Sequence, residues 1–537
     1  MTTRSERTAP AAPGGTATML TILWRTQRRA LLVWVAVLAG SMIATATAVA
    51  GLYDTPAKIH TYATAVTSGN ALQAINGHVE GIDSLGGVVQ DEFGFLAAIL
   101  LPLLGINLVT RATRREEESG RVELLLGGRI ARHQPTLAAL LSATGAILAT
   151  AILFAAGLAA SGIPVTGSVL YAASLAGLAF VFAGLTALLA QVAMHARSVY
   201  AGALLVLGAS YVLRGVGDVT DTGVTWLSPL GWAEKAAPFG QQRWWALALP
   251  LTVGAVLAAA AVLTARRRDL GSALIQGRTG PARATGALLN PIGFAARVHR
   301  PAIVGWLAGG LLLTSMMGTL AQQLIDAMTG NPALADAMGI SPTAPLEGFV
   351  AVTQLYLAVI ATGYVVQAVG VLRGEETAGR LEHRLSGTTS RTRWLGAHTL
   401  VVVAGLLFVV GASSLALAGT VAWSLGDADQ TSAILGAGLA YLPAELVLTG
   451  LALAVYGVRP RAYPLAWAVY AAVTFVAFLG PGLQLPRWAL DLAPTTHVGN
   501  PPLDAISTPG LVGLSALAML LALIGLLGFR RRNIPQA

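Results

Sequence analysis

Apolar residues in this chain fall in long blocks, and each block is bounded by short charged or Gly/Pro-containing stretches. A helix needs about 20 predominantly apolar residues to cross the hydrocarbon core of a bilayer. Runs of that kind lie near 30–52, 93–110, 136–160, 168–193, 199–214 and 244–265. A second set lies near 302–324, 349–371, 396–423, 431–457, 463–481 and 509–529. The pattern predicts an all-α polytopic membrane protein of about 12 transmembrane helices.

The polar stretches between the runs alternate in charge. Cytosolic loops attract Lys and Arg. With the amino terminus inside, Lys58, Arg214, Lys235, Arg243 and Arg487 lie outside, and the other 29 of the 34 basic residues lie inside. The outer stretches carry acids instead: Asp54, Glu80, Asp83, Asp91, Asp218, Asp221, Asp336, Glu347, Asp427, Asp429 and Asp504. Both termini are therefore expected in the cytosol.

The two sets of runs repeat one another. A shift of 259 places Arg114, Glu116, Glu117, Gly120, Arg121, Glu123, Leu126, Gly128 and Arg132 on Arg373, Glu375, Glu376, Gly379, Arg380, Glu382, Leu385, Gly387 and Arg391, nine identities in nineteen ungapped positions. Other landmarks follow in order. Arg25, Arg28 and Trp34 match Arg297, Arg300 and Trp306, and the triplet Arg266–Arg268 recurs as Arg530–Arg532. An even number of spans per copy gives both copies the same orientation, so two parallel six-helix repeats are expected. The implied organisation is a disordered cytosolic tail over 1–18, a first half over 19–269, a cytosolic linker over 270–290, a second half over 291–532 and a tail over 533–537.

Composition supports lipid as the main solvent, since 55% of the residues are hydrophobic and 11% charged. Soluble domains carry roughly 25% charged residues. The net charge of +9 is explained by membrane topology rather than by nucleic acid. The absence of cysteine excludes disulfides, thiolate metal sites and cysteine nucleophiles. No cleavable signal peptide is evident, so the first apolar run reads as a retained span.

The repeated charged segment lies between the second and third runs of each half. Glu117 and Arg121 are four apart with the acid first, as are Glu376 and Arg380, an order that supports a helix. Val122, Leu125 and Leu126 form a narrow apolar strip, and Gly127-Gly128 ends the helix. A short amphipathic helix beneath the membrane can lie in the interface or insert into a groove on a partner. A solvated loop whose arginines only fix topology is the alternative. Two further pairs of segments stay open. Leu20 to Arg29 and Leu288 to Arg300 are headgroup-level helices or simple basic flanks. Trp226 to Gly240 and Asp491 to Asp504 are short re-entrant helices or ordinary loops.

Residues 115–126, Arg-Glu-Glu-Glu-Ser-Gly-Arg-Val-Glu-Leu-Leu-Leu, and 373–382, Arg-Gly-Glu-Glu-Thr-Ala-Gly-Arg-Leu-Glu, resemble the two copies found in ABC-2-type exporter permeases of the tetronasin and polyketide-antibiotic exporter group. The resemblance implies a plasma-membrane permease that exports amphipathic or hydrophobic small molecules. It also implies two copies of a separate ATPase subunit that carry ATP and magnesium, with no cofactor in this chain. Under it Glu116, Glu117, Gly120, Arg121 and Glu123, with Glu375, Glu376, Gly379, Arg380 and Glu382, contact the ATPase. The second copy departs after Glu382, where His383-Arg384 replaces Leu124-Leu125.

Several chemistries have no support. A phosphate-cradling loop requires a lysine in Gly-x-x-x-x-Gly-Lys-Ser/Thr, and Lys58 and Lys235 lie outside any such context. The eight histidines show no metal-ligand spacing, and no catalytic nucleophile motif occurs. Glu445 is the one acid well inside an apolar run, either a proton or cation site or a structural group wetted where Pro443 opens the helix. An ion-coupled secondary drug transporter of the major-facilitator kind is the second reading. It needs titratable groups within the membrane, and Glu445 is the one offered.

Overall fold

The computed structural model describes residues 15–67, 76–126, 130–269, 271–275, 283–322, 325–326, 344–479 and 485–534. Gly127, Gly128, Asp336, residues 276–282 of the expected linker and the side chains of Leu125 and Leu126 lie outside the described residues. Among the described residues every regular element is helical.

Among the described residues twelve helices are long and apolar enough to span a membrane. In the first compact unit (1–279) they are Gly15–Leu52, Leu85–Glu118, Gln134–Ala160, Val165–Val192, Ala196–Thr220 and Trp244–Arg267. In the second (280–537) they are Pro291–Thr319, Pro345–Thr377, Arg391–Leu425, Thr431–Val458, Pro460–Phe478 and Thr508–Arg531. We number them as spans 1–12. Leaving the backbone unpaired in lipid is costly, so the helix supplies its own hydrogen bonds. Side-chain hydroxyls follow the same rule: Thr150, Thr186, Thr314 and Thr449 each donate to the carbonyl four residues earlier.

Four local features refine or depart from the sequence expectation. Span 1 begins at Gly15, inside the segment expected as tail. It continues through Leu20–Arg29, because neither Pro nor Gly interrupts the helix there, so no separate headgroup-level helix forms. Span 7 likewise absorbs residues 291–300, started by Pro291 behind an Asn290 cap that accepts from the Ile292 amide. Span 10 is broken at Tyr441, between Thr431–Ala440 and Leu442–Val458, just before Pro443. An additional helix, Pro56–Thr67, follows span 1, and its Tyr62 hydroxyl donates to Asp91 Oδ2 at 2.6 Å.

Each unit packs its spans in the same order. Span 1 lies on span 3, span 2 on span 4 and span 4 on span 6; spans 7, 8 and 10 repeat these pairings with spans 9, 10 and 12. Close approach sets the 4–6 and 10–12 crossings. A Cβ at Gly184 would stand 2.8 Å from the Gly254 carbonyl oxygen, and one at Gly450 would stand 2.6 Å from that of Ala518. Small residues let backbones meet where lipid offers no hydrophobic drive for association. The same crossing is thus built twice.

Candidate functional site

The repeated charged segment forms a bent connector in each unit. In the first, the helix Arg114–Glu118 is followed by a left-handed Gly120 (φ 73°) and a second helix, Arg121–Leu126. In the second, span 8 runs to Thr377, Gly379 takes φ 70°, and Arg380–Leu385 follows. An L side chain resists this backbone region, so glycine fixes the bend.

The bend changes the predicted ion pairing. A continuous helix would pair Glu117 with Arg121, but the turn swings the arginine back over the preceding acid. Arg121 Nε and Nη2 donate to the two oxygens of Glu116 at 2.6 and 3.0 Å. Arg380 Nε and Nη2 both donate to Glu375 Oε1, at 3.0 and 2.8 Å. The expected pairs Glu117–Arg121 and Glu376–Arg380 are replaced in both units for the same reason.

Glu117 and Glu376 turn inward instead. Glu117 Oε2 lies 2.8 Å from Arg114 Nη1 and 2.7 Å from Arg268 Nη2. Its Oε1 accepts from the Gly271 amide at 2.8 Å. Glu376 receives Arg532 bidentately, with both bonds at 2.5 Å. The side chains of Glu117 and Glu376 are 9% and 8% exposed. Arg268 and Arg532 sit just beyond the ends of spans 6 and 12, so each carboxylate fastens the bent connector to the last span of its own unit. Arg132 adds a second tie, to Asp269 at 2.6 Å, and its counterpart Arg391 donates to the Arg532 carbonyl at 2.8 Å. The arginine triplets expected as topology signals thus also act as clamps.

The remaining motif residues face out. Glu123 and Glu382 are exposed, as are Arg121 and Arg380, and Leu124 is 83% exposed. Val122 and its counterpart Leu381 are buried and seat the second helix of each connector. The departure at His383-Arg384 has a structural consequence: the Arg384 guanidinium lies 3.7 Å from the ring centroid of Phe294, at the start of span 7. That stacking was not legible from sequence, because Leu125 occupies the matching position in the first copy.

Glu445 is fully buried, and neither carboxylate oxygen has a hydrogen-bond partner among the described residues. It lies one turn after the break in span 10. Sequence reasoning missed a second polar feature of the same unit: the buried His299 and His398 rings meet with Nε2 and Nδ1 2.9 Å apart. The segments read as re-entrant helices or loops are short helical turns, Pro229–Glu234 and Pro494–His497. The first is anchored where the Ser228 hydroxyl donates to the Ser210 carbonyl at 2.6 Å.

A twice-built bundle of spans with a matching charged connector in each unit is the body of a polytopic membrane protein. Comparison with known proteins gives its family. The family model described as "Multidrug efflux system permease Rv1217c, C-terminal domain" matches residues 17–266 and 288–530, one stretch in each compact unit. The chain is also 32% identical, over 524 residues covering 97% of its length and 95% of the relative's, to the multidrug efflux system permease protein Rv1217c of Mycobacterium tuberculosis (strain ATCC 25618 / H37Rv). The chain belongs to this family of multidrug efflux permeases, and it is a multi-pass protein of the plasma membrane.

Proposed function

We propose that this permease is the membrane-embedded half of an ATP-binding-cassette exporter of the ABC-2 type, driven by two copies of a separate ATPase subunit. The arginine-rich connectors would face the cytosol, together with both termini. Each ATPase would dock on the exposed side of one connector, through Glu123, Leu124 and Arg121 in the first unit and Glu382 and Arg380 in the second. Cargo would be amphipathic or hydrophobic small molecules, in keeping with spans that expose few charges.

The observation that carries this reading is the pairing of an outward face with an inward clamp in both units. A connector pulled by a partner cannot slip past its own bundle while Glu117 holds Arg268 and Glu376 holds Arg532. Movement imposed on the exposed face is therefore delivered to spans 2, 6, 8 and 12. Gly120 and Gly379 shape the connector, and Glu116 and Glu375 lock its bend. Of the residues first expected to touch the ATPase, Glu117 and Glu376 take this internal role. The only lysines, Lys58 and Lys235, lie in no phosphate-binding context, which leaves ATP and magnesium to the partner.

The test is co-purification. The chain is expressed with its ATPase, and Glu123→Lys and Glu382→Lys are introduced together; both positions are exposed. Loss of the ATPase from a permease that remains folded is the expected result. A retained stoichiometric complex would remove the docking role. Glu445 favours a second reading, the proton-coupled transporter, because an unpartnered intramembrane carboxylate is a natural ion-coupling group. That reading requires Glu445→Gln to stop transport, whereas ATP-driven export predicts that transport persists.

A further inference from the structure

Spans 1 and 3 run side by side and come close at two points. A Cβ at Gly15 would stand 2.1 Å from Gln134 Oε1, and one at Gly157 would stand 2.4 Å from Ile43 Cγ1. Between these points a groove of about 400 Å³ opens along their exposed sides. Trp24, Leu31 and Val35 line it from span 1, and Leu141, Gly145 and Ala149 line it from span 3. Gly145 leaves its floor open, since an added Cβ would find nothing within 4 Å. From Leu20 to Val35 the groove is about 22 Å long at the helical rise. Half the hydrocarbon core of a bilayer is about 15 Å, so the groove reaches from headgroup level into the apolar layer.

Its rim is charged. Arg28 lies four residues after Trp24 and three before Leu31, on the same face of span 1. The two close contacts place it level with Gly145. Arg25 and Arg29 flank it, and all three arginines are exposed. Among the described residues no acid pairs with them, whereas Arg114, Arg121, Arg132 and Arg268 of the same unit each hold a carboxylate. Topology explains positive charge at this end of span 1. It does not explain an apolar groove that opens beside that charge.

The second unit keeps the charge and changes the groove. Arg300 matches Arg28, but Ala296 replaces Trp24, Val401 replaces Ser142, Ala404 replaces Gly145 and Phe408 replaces Ala149. Each change in span 9 adds bulk where span 3 is small. We propose that the groove between spans 1 and 3 binds one anionic glycerophospholipid, its phosphate on Arg28 and one acyl chain along Gly145 and Ala149. A guanidinium fork suits a phosphate, and basic pockets between spans recognise anionic headgroups. A zwitterionic lipid carries its own cation beside the phosphate, so three unpaired arginines select a headgroup of net negative charge. The proposal stands independently of the ATPase partner.

The test counts lipids retained by the purified full-length permease, using native mass spectrometry after exposure to mixed phosphatidylglycerol and phosphatidylcholine. One tightly retained phosphatidylglycerol per chain is expected. Arg28→Gln should weaken its retention about tenfold, the equivalent of one charge-assisted hydrogen bond. Gly145→Leu fills the floor, keeps every arginine and should cause a comparable loss. Both positions are exposed, so neither change disturbs the packed core. Arg300→Gln, at the matching position of the second unit, should leave retention unchanged. Equal retention of the two lipids, or an equal loss in Arg300→Gln and Arg28→Gln, would overturn the proposal. So would unchanged retention in Gly145→Leu, which would leave basic charge alone as the cause. Displacement of the lipid by inorganic phosphate or by an uncharged amphipathic dye would also overturn it, assigning the groove to a free anion or to cargo.

Discussion

The two connectors began as the same nineteen-residue pattern, yet they hold their inward carboxylates differently. In the first unit Glu117 neutralises two guanidiniums at once, Arg114 and Arg268, and also accepts from the Gly271 amide. Glu118 adds a tie to the start of span 5, accepting from the Ala196 amide at 3.0 Å. In the second unit, among the described residues, Arg532 is the one guanidinium that Glu376 pairs with. Thr377 stands where Glu118 would, and its hydroxyl stays on its own helix, donating to the Arg373 carbonyl. Arg532 instead lies 5.3 and 5.1 Å from the ring centroids of Tyr456 and Phe529, and Arg384 stacks on Phe294. Duplication kept the glycine bend and the carboxylate–arginine clamp. Hydrogen bonds support the clamp in one copy, and aromatic faces support it in the other.

The largest effect is expected at Glu117→Gln. It leaves two buried guanidiniums side by side without a carboxylate, and removing one partner of a buried ion pair costs about 3–5 kcal/mol. The apparent unfolding midpoint of the purified permease should fall sharply. Glu376→Gln should cost less, about 3 kcal/mol, because the aromatic rings still face Arg532. Equal losses from the two substitutions would erase the difference drawn here. Exchanging the partners, Glu376→Arg with Arg532→Glu, should recover part of the loss if the pair acts as a unit.

Gly120→Ala comes next. Nothing lies within 4 Å of the added Cβ, so the cost is backbone strain alone, about 1–2 kcal/mol. A neutral result would mean that the connector can straighten, which the Arg121–Glu116 pairing opposes. Smallest in stability is Glu123→Lys with Glu382→Lys, whose midpoint should stay within about 0.5 kcal/mol of the parent while ATPase retention falls. A drop in stability comparable to that of Glu117→Gln would show that these positions serve the fold instead.

Much of the architecture was legible because lipid leaves few options. Blocks of about 20 apolar residues become spanning helices, and the structure contains all twelve. The pairing within the connectors was misread because the four-residue spacing of Glu117 and Arg121 suits only an unbroken helix. The corrective signal stood between them, at Gly120 and again at Gly379. The clamps were beyond the reach of local pattern: Arg268 and Arg532 lie 151 and 156 residues from their carboxylates. Their arginine triplets already had a sufficient explanation in topology. The break in span 10 was signalled by Pro443, whereas Pro56–Thr67 and the His299–His398 contact left no pattern that composition or spacing would single out.

The most direct measurement is transport in sealed vesicles that contain the permease with and without its ATPase, supplied with ATP or with a proton gradient alone. The account predicts cargo movement only when the ATPase and ATP are both present, and its loss in the Glu123→Lys, Glu382→Lys variant. Movement by the permease alone, driven by the proton gradient and abolished by Glu445→Gln, would contradict it.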